Sequence, residues 1–162
     1  MNSKYSEIDQ MIAELVDAGL ADADAVSGCT EEQISELQAM QSNVQLPDDY
    51  LYFLRVAGAN PLKYLSVEID IRSAICAFDI AEEMLEEAPD FDLSGKIFIG
   101  NYHFDYVYFF KMNDPGVYVF DEVEERRVCG SFVEFLRWEV NASRKDWEAA
   151  KRFSQKIREG RT

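Results

Sequence analysis

Four short segments in the second half of the chain, most of them rich in apolar residues, constrain its fold most strongly. They cover residues 97–99, 105–111, 117–120 and 126–128. Turn-forming residues separate the later runs, at residues 113–116 and at residues 121–125. Short apolar runs with such separators predict β-strands joined by tight turns. We therefore expect an antiparallel meander in which each strand pairs with the next.

Helical patterns precede the meander. Four apolar residues from Ile8 to Leu15 recur at the spacing of one helical face. Thr30 begins a capping box that predicts a second helix, and Pro47 followed by two aspartates predicts a third, which ends near Gly58. Apolar and polar residues then alternate over residues 66–72, which predicts a short strand. A further helix is predicted over residues 77–88 and is closed by Pro89.

The chain is also predicted to end in helices. Residues 131–134 have the pattern of a second capping box, which opens a helix after the meander. Residues 143–162 contain seven Lys or Arg residues and three acidic ones, so their net charge is +4. We predict a basic terminal helix there, whose apolar side chains, Phe153 and Ile157 among them, pack on the body. An arm that contacts a partner is the alternative.

The charge of the chain limits its partners. The 31 acidic and 16 basic residues give a net charge of −15. This sign argues against binding of nucleic acid, because Lys and Arg supply most of the affinity for phosphates. It favours a basic protein partner, whose approach an acidic surface accelerates. The alternative is that the acidity serves solubility alone.

The expected location is the cytoplasm. No stretch of the sequence provides the roughly 20 apolar residues that a membrane-spanning helix needs. The first nine residues include Lys4, Glu7 and Asp9 and contain no apolar run, so no secretory signal is predicted. With 48% hydrophobic residues, the chain is expected to fold in spite of its charge.

Sequence motifs for catalysis or cofactor binding are absent. The chain has no phosphate-binding GxxxxGK[ST], no GxGxxG and no GxSxG. Its three cysteines are widely spaced, and His103, its one histidine, would need further ligands to hold zinc. We therefore predict no enzyme activity, no metal and no cofactor. A pair of catalytic carboxylates among the 31 acidic residues stays open as an alternative.

Three stretches of the sequence, read together, resemble the SUKH superfamily, which includes fungal cell-wall assembly regulators and many bacterial immunity proteins. Residues 46–54, LPDDYLYFL, resemble the LPxDYxxFL helix start of that family. Residues 97–100 resemble its IxIG strand, and residues 131–136 resemble its closing SFxEFL helix. Order and spacing agree over residues 46–139. The aromatic residues 101–104 depart from the Gly/Asp-rich turn that the family often has there.

The resemblance implies an α+β fold with N-terminal and C-terminal helices packed on an antiparallel sheet. We expect one domain over residues 1–162, with N-terminal helices in residues 1–45, a family-like core in residues 46–142 and the basic helix in residues 143–162. Bacterial members imply a protein that neutralises a cognate toxin, often a nuclease, by direct binding. Fungal members imply a non-catalytic regulatory scaffold instead. The sequence leaves the oligomeric state open.

Three features are candidates for the partner-binding surface. Two are acidic, namely the outer face of the predicted 77–88 helix with the residues after it, and the turn at residues 121–125. The third is the aromatic segment after the first strand, since aromatic anchors ringed by polar groups favour binding. The candidate residues are Asp79, Glu82, Glu83, Glu86, Glu87, Asp90, Asp92, Tyr102, His103, Phe104, Asp121, Glu122, Glu124 and Glu125. A solvated acidic face, and a core role for some aromatics, are the alternatives.

Overall fold

An antiparallel sheet of four strands lies at the centre of the computed structural model, which describes residues 3–42, 44–62 and 65–160. The strands are β1 (Lys96–Tyr102), β2 (Tyr106–Lys111), β3 (Asp114–Phe120) and β4 (Glu125–Cys129). The helices in the described residues are α1 (Ser3–Asp17), α2 (Glu31–Met40), α3 (Asp48–Ala57), α4 (Ile71–Met84) and α5 (Phe132–Arg158). Each strand pairs with its neighbour in sequence. The predicted meander and the α+β class are therefore confirmed.

The two faces of the sheet carry different helices, because successive side chains of a strand point to opposite sides. On β2, Tyr108 and Phe110 face the main core, which includes residues of α1, α3 and α5. Val107 and Phe109 face the other side, where α4 packs through Ala77, Ile80, Ala81 and Met84. The sheet thus lies between α4 on one face and α1, α3 and α5 on the other, so both of its faces are covered.

Side-chain caps fix two of the predicted helix starts. The Gln33 amide donates to the Thr30 hydroxyl at 3.2 Å, and the Thr30 amide donates to the Gln33 side chain at 2.9 Å, so the first capping box is confirmed. At α5 the Glu134 amide donates to the Ser131 hydroxyl at 3.2 Å. The Glu134 carboxylate, however, accepts from the Gly130 amide rather than from Ser131, so only half of the predicted second box forms.

The strand predicted over residues 66–72 is wrong. Glu68 makes only an isolated bridge to Asn101 of β1. The Asp70 carboxylate instead accepts hydrogen bonds from the amides of Arg72 at 3.1 Å and Ser73 at 3.4 Å, which starts α4 at Ile71. An aspartate at this position satisfies the free amides of a first helical turn. The alternation therefore reflects burial of one side of the segment, and α4 begins well before the predicted residue 77 and ends before residue 88.

The turn predicted at residues 113–116 is shorter than expected. It consists of Met112 and Asn113, where Asn113 has a φ of +62°. Asp114 already belongs to β3, and Pro115 lies in an irregular stretch where the register with β2 shifts. Proline lacks an amide donor, so it is tolerated in a strand where pairing is interrupted.

The basic terminal segment does not pack as predicted. It continues α5 without a break near residue 143, and residues 161–162 lie outside the described range. Phe153 is 65% exposed and Ile157 is 58% exposed, so the prediction that their side of the helix packs on the body is wrong. The helix continues past Trp147, whose indole N–H donates to the Ala18 carbonyl, and every residue from Glu148 to Gly160 is exposed.

Candidate protein-binding surface

Two turns of the meander lie at the same end of the sheet. The chain reverses direction after every strand. The β1–β2 turn at residues 103–105 and the β3–β4 turn at residues 121–124 therefore lie at the same end of the strands. Two strand spacings, about 10 Å, separate their centres. The structure therefore brings together two candidate features that are well separated in sequence. We call them the first turn and the second turn.

The first turn presents an aromatic side chain to solvent. His103 and Phe104 are exposed, Phe104 to 65%, whereas Tyr102 and its partner Tyr106 are half-buried against the core. His103 and Phe104 have φ values of +51° and +63°, a conformation that costs a non-glycine residue about 1–2 kcal/mol. The Asp105 amide closes the turn by donating to the Tyr102 carbonyl at 3.1 Å. Strand pairing thus holds the Phe104 ring outward.

The second turn presents an aliphatic side chain among carboxylates. Val123 is 88% exposed, between the exposed residues Glu122 and Glu124. The Asp121 carboxylate accepts from the amides of Glu124 at 2.9 Å and Val123 at 3.2 Å, and these bonds hold the turn together. The Glu124 amide is the largest cause that lowers the pKa of Asp121, so this group stays ionised. Asp121 shapes the turn, and its neighbours face outward.

Glu125 is a strand residue with intramolecular partners. It opens β4, and its carboxylate forms ion pairs with Lys96 at 3.4 Å and with Lys111. Arg126 similarly pairs with Asp121 at 3.4 Å and with Glu124 at 3.5 Å. Of the four acidic candidates in this region, Glu122 and Glu124 therefore offer the most accessible charge.

A second group of acidic candidates lies on α4 and in the loop that follows it. Asp79, Glu82 and Glu83 are exposed on α4, whereas Glu86 and Glu87 follow its end. Asp90 and Asp92, also exposed, lie on either side of Phe91 in the loop that leads to β1.

Contacts join this loop to the second turn. The Phe91 ring stacks on Phe120 with 3.7 Å between the ring centroids, and Phe120 directly precedes Asp121. The Lys96 ammonium group donates to the Asp92 carbonyl and pairs with Glu125. Two acidic segments predicted separately thus lie side by side. Their proximity depends on Phe91 and Lys96, which the sequence reasoning did not single out.

The resulting surface combines apolar tips with negative charge. Phe104 and Val123 protrude, and the nearby exposed carboxylates include Glu122 and Glu124. The distance between the centres of the two turns is comparable to the screening length of about 10 Å at 0.1 M salt. At low salt, carboxylates at this end of the sheet therefore attract a cationic ligand together. Val123 was not identified from the sequence as a candidate, although an aliphatic residue within a run of acidic residues could have indicated it.

The described residues offer little for metal or thiol chemistry. Within residues 3–42, 44–62 and 65–160, no group of three or more His, Cys, Asp or Glu side chains could hold a metal ion. Burial raises the pKa of the Cys29 thiol to about 11, and burial likewise raises the pKa values of Cys76 and Cys129. Protonated thiols are poor nucleophiles. No helix in the described part of the chain is long and apolar enough to cross a membrane.

Comparison with known proteins identifies one family. The sequence profile of the SMI1 / KNR4 family (SUKH-1) matches residues 28–138. A search of curated proteins finds no significant match. The matched range begins just before α2, includes the whole sheet and both turns, and ends within α5. Helix α1 and the second half of α5 lie outside it.

Proposed function

Because the chain belongs to the SMI1 / KNR4 family (SUKH-1), we propose that it is an immunity-type protein that neutralises a cognate bacterial toxin in the cytoplasm. It binds the toxin directly through the first turn, the second turn and the adjoining acidic segments. One observation carries this proposal: two turns at one end of a rigid sheet each present an exposed apolar side chain, Phe104 and Val123, beside accessible carboxylates.

Such a surface suits a basic protein. Interface energy concentrates in a few apolar or aromatic anchors that are surrounded by polar groups. Phe104 is such an anchor, and its strained backbone is already set before binding, so less ordering is required when the complex forms. The carboxylates around the tips attract cationic groups and accelerate the encounter. A nuclease is a fitting target, because it presents Lys and Arg side chains for phosphates and an acidic protein competes for them.

A growth assay with a defined toxin tests the proposal. The probe is a basic toxin domain, if a neighbouring gene encodes one, expressed in bacteria with and without the chain; absence of any such neighbouring gene would count against the proposal. We expect the chain to restore growth and to block the toxin's activity in a purified assay. Affinity measured by calorimetry should fall steeply between low and high salt, since screening weakens charge attraction.

Matched charge reversals locate the surface. Glu122→Lys with Glu124→Lys changes the second turn, and Glu32→Lys with Glu36→Lys makes the same charge change on exposed residues of α2. We expect the first pair to weaken binding at least about tenfold and the second pair to have a much smaller effect. Phe104→Ala should also weaken binding about tenfold or more, because it removes an anchor.

Three results would contradict the proposal. Equal loss from both charge-reversed pairs would mean that net charge, and not this surface, controls binding. A complex in which the toxin keeps full activity would indicate the scaffold role instead. Protection that requires a catalytic carboxylate but no stable complex would indicate an enzyme.

A further inference from the structure

The second half of α5 extends beyond the body of the protein. The Trp147 side chain is half-buried and its indole N–H donates to the Ala18 carbonyl at 3.1 Å. After Trp147, every residue from Glu148 to Gly160 is exposed. We call this segment, residues 148–160, the arm. At 1.5 Å per helical residue it is about 20 Å long.

The arm continues the face of α5 that packs into the core. Phe132, Phe135 and Ser143 are buried on that face, and Ala150, Phe153 and Ile157 follow it at helical spacing. Yet Phe153 and Ile157 are mostly exposed. A short helical segment whose apolar side chains face water gains little from packing, so a surface that covers Phe153 and Ile157 would stabilise the arm. The family match ends at residue 138, so the arm lies outside the matched range.

A matching cleft opens where the arm leaves the body. Its lining includes Gly19, which directly follows Ala18, the residue whose carbonyl accepts the Trp147 hydrogen bond. The cleft has a volume of about 210 Å³. Asp22 lines it, and Asp17 and Asp24 are exposed nearby in sequence. Most of its lining is apolar: Leu20, Ala21, Ala25, Val26, Pro61 and Leu62. Since the arm is fully exposed, it does not fill the cleft of its own chain.

We propose that the arm of one copy packs into this cleft of a second copy, and that the second copy's arm does the same in return. Phe153 and Ile157 supply apolar groups for the apolar floor. The exposed cations Lys151, Arg152 and Lys156 meet the aspartates around the cleft. A two-fold dimer makes both contacts at once, because each arm starts beside its own cleft. Direct pairing of two arms would instead bring like charges together.

Measurement of mass in solution tests the dimer. The full chain is examined by sedimentation equilibrium from about 1 µM to about 1 mM, a range that covers weak association. We expect a concentration-dependent monomer–dimer equilibrium that weakens as salt is raised. Phe153→Glu should weaken dimerisation at least about tenfold. The matched control is Gln155→Glu, which adds the same charge to the opposite face of the arm and should leave most of the association intact.

Mixing two variants tests the cleft. Ala25→Arg places a bulky cation at the exposed edge of the cleft, where it should exclude the arm without disturbing the core. Phe153→Glu and Ala25→Arg should each dimerise much more weakly than wild type when alone. Mixed together they should form a heterodimer, because the intact arm of the Ala25→Arg chain fits the intact cleft of the Phe153→Glu chain.

Three outcomes would overturn the inference. The wild-type chain could remain monomeric over the whole concentration range. The Ala25→Arg chain could dimerise as well as wild type, which would remove the cleft from the interface. The mixture could also fail to form heterodimers although both variants keep the wild-type melting curve at low protein concentration, where the wild type is monomeric, which would favour pairing of arm with arm. Each variant changes an exposed residue, so melting curves verify that its fold is intact.

Discussion

The two halves of α5 share one helix and one apolar face, but they have opposite surroundings. In the first half, Phe132 and Phe135 are fully buried against the sheet and α3. In the second half, Phe153 and Ile157 face solvent, and the net charge is positive. The difference teaches that helical periodicity identifies the face of a helix that is suited to packing. Whether that face is covered depends on how far the rest of the chain extends.

Removal of a ring from the buried half should have the largest effect. The Phe132 ring lies 5.2 Å from that of Tyr50 and 5.3 Å from that of Phe53, measured between centroids. Phe132→Ala leaves a cavity among these rings and should lower the free energy of unfolding by about 3–5 kcal/mol. Urea denaturation followed by circular dichroism measures it. A loss below about 1 kcal/mol would mean that the core refills the space and that the two halves differ little in energy.

The two halves should also differ in how their glutamates respond to pH. Glu139 is buried and accepts a hydrogen bond from the Val67 amide at 3.1 Å, and burial is the main cause that raises its pKa. The folded chain therefore holds this proton more tightly than the unfolded chain. Ionisation of Glu139 costs stability as pH rises from about 4.3, the ordinary glutamate value, through the raised folded value.

Glu139→Gln does not ionise and avoids that loss. The stability of the variant relative to wild type should rise across this pH range. Denaturation at a series of pH values measures the difference. Glu148→Gln, in the exposed half of the same helix, is the matched variant that removes a carboxylate at a solvent-exposed position. A flat difference for Glu139→Gln would show that burial does not control this carboxylate.

These contrasts also explain what the sequence could predict. Features that depend on neighbouring residues were predicted correctly. They are the strands of the meander, the helix cap at Thr30 and the end of α3 at Gly58. Distant contacts were not predictable in this way. The Gln41 side chain accepts from the Phe98 amide at 2.6 Å and donates to its carbonyl at 2.8 Å, and no local pattern announces it.

The candidate surface divides in the same way. The acidic and aromatic residues were identifiable from composition and from the run at residues 101–104. Their grouping depends on the stacking of Phe91 on Phe120, which joins segments far apart in the chain. Alternation at residues 66–72 misled the prediction, because burial on one side of a segment gives the same pattern as a strand.

The side-chain cap at the start of α5 should make a moderate contribution to the free energy of unfolding. Ser131→Ala removes the hydroxyl that accepts from the Glu134 amide and should lower the free energy of unfolding by about 1 kcal/mol. Thr30→Ala at α2 is a matched comparison, because it removes the same kind of cap. Thermal denaturation of both variants compares them. An effect at Ser131 near zero would mean that the Glu134–Gly130 bond suffices to start the helix.

The smallest effect should come from the exposed half. In the monomer Phe153 has no core contact to lose, so Phe153→Ala should change the free energy of unfolding by no more than about 0.5 kcal/mol. The measurement is a urea denaturation series repeated at several protein concentrations. If arms exchange between copies, wild-type stability rises with concentration, because association stabilises the folded chain, and Phe153→Ala reduces that rise. A loss of several kcal/mol at low concentration would instead place Phe153 in the core of the monomer and remove the contrast between the two halves.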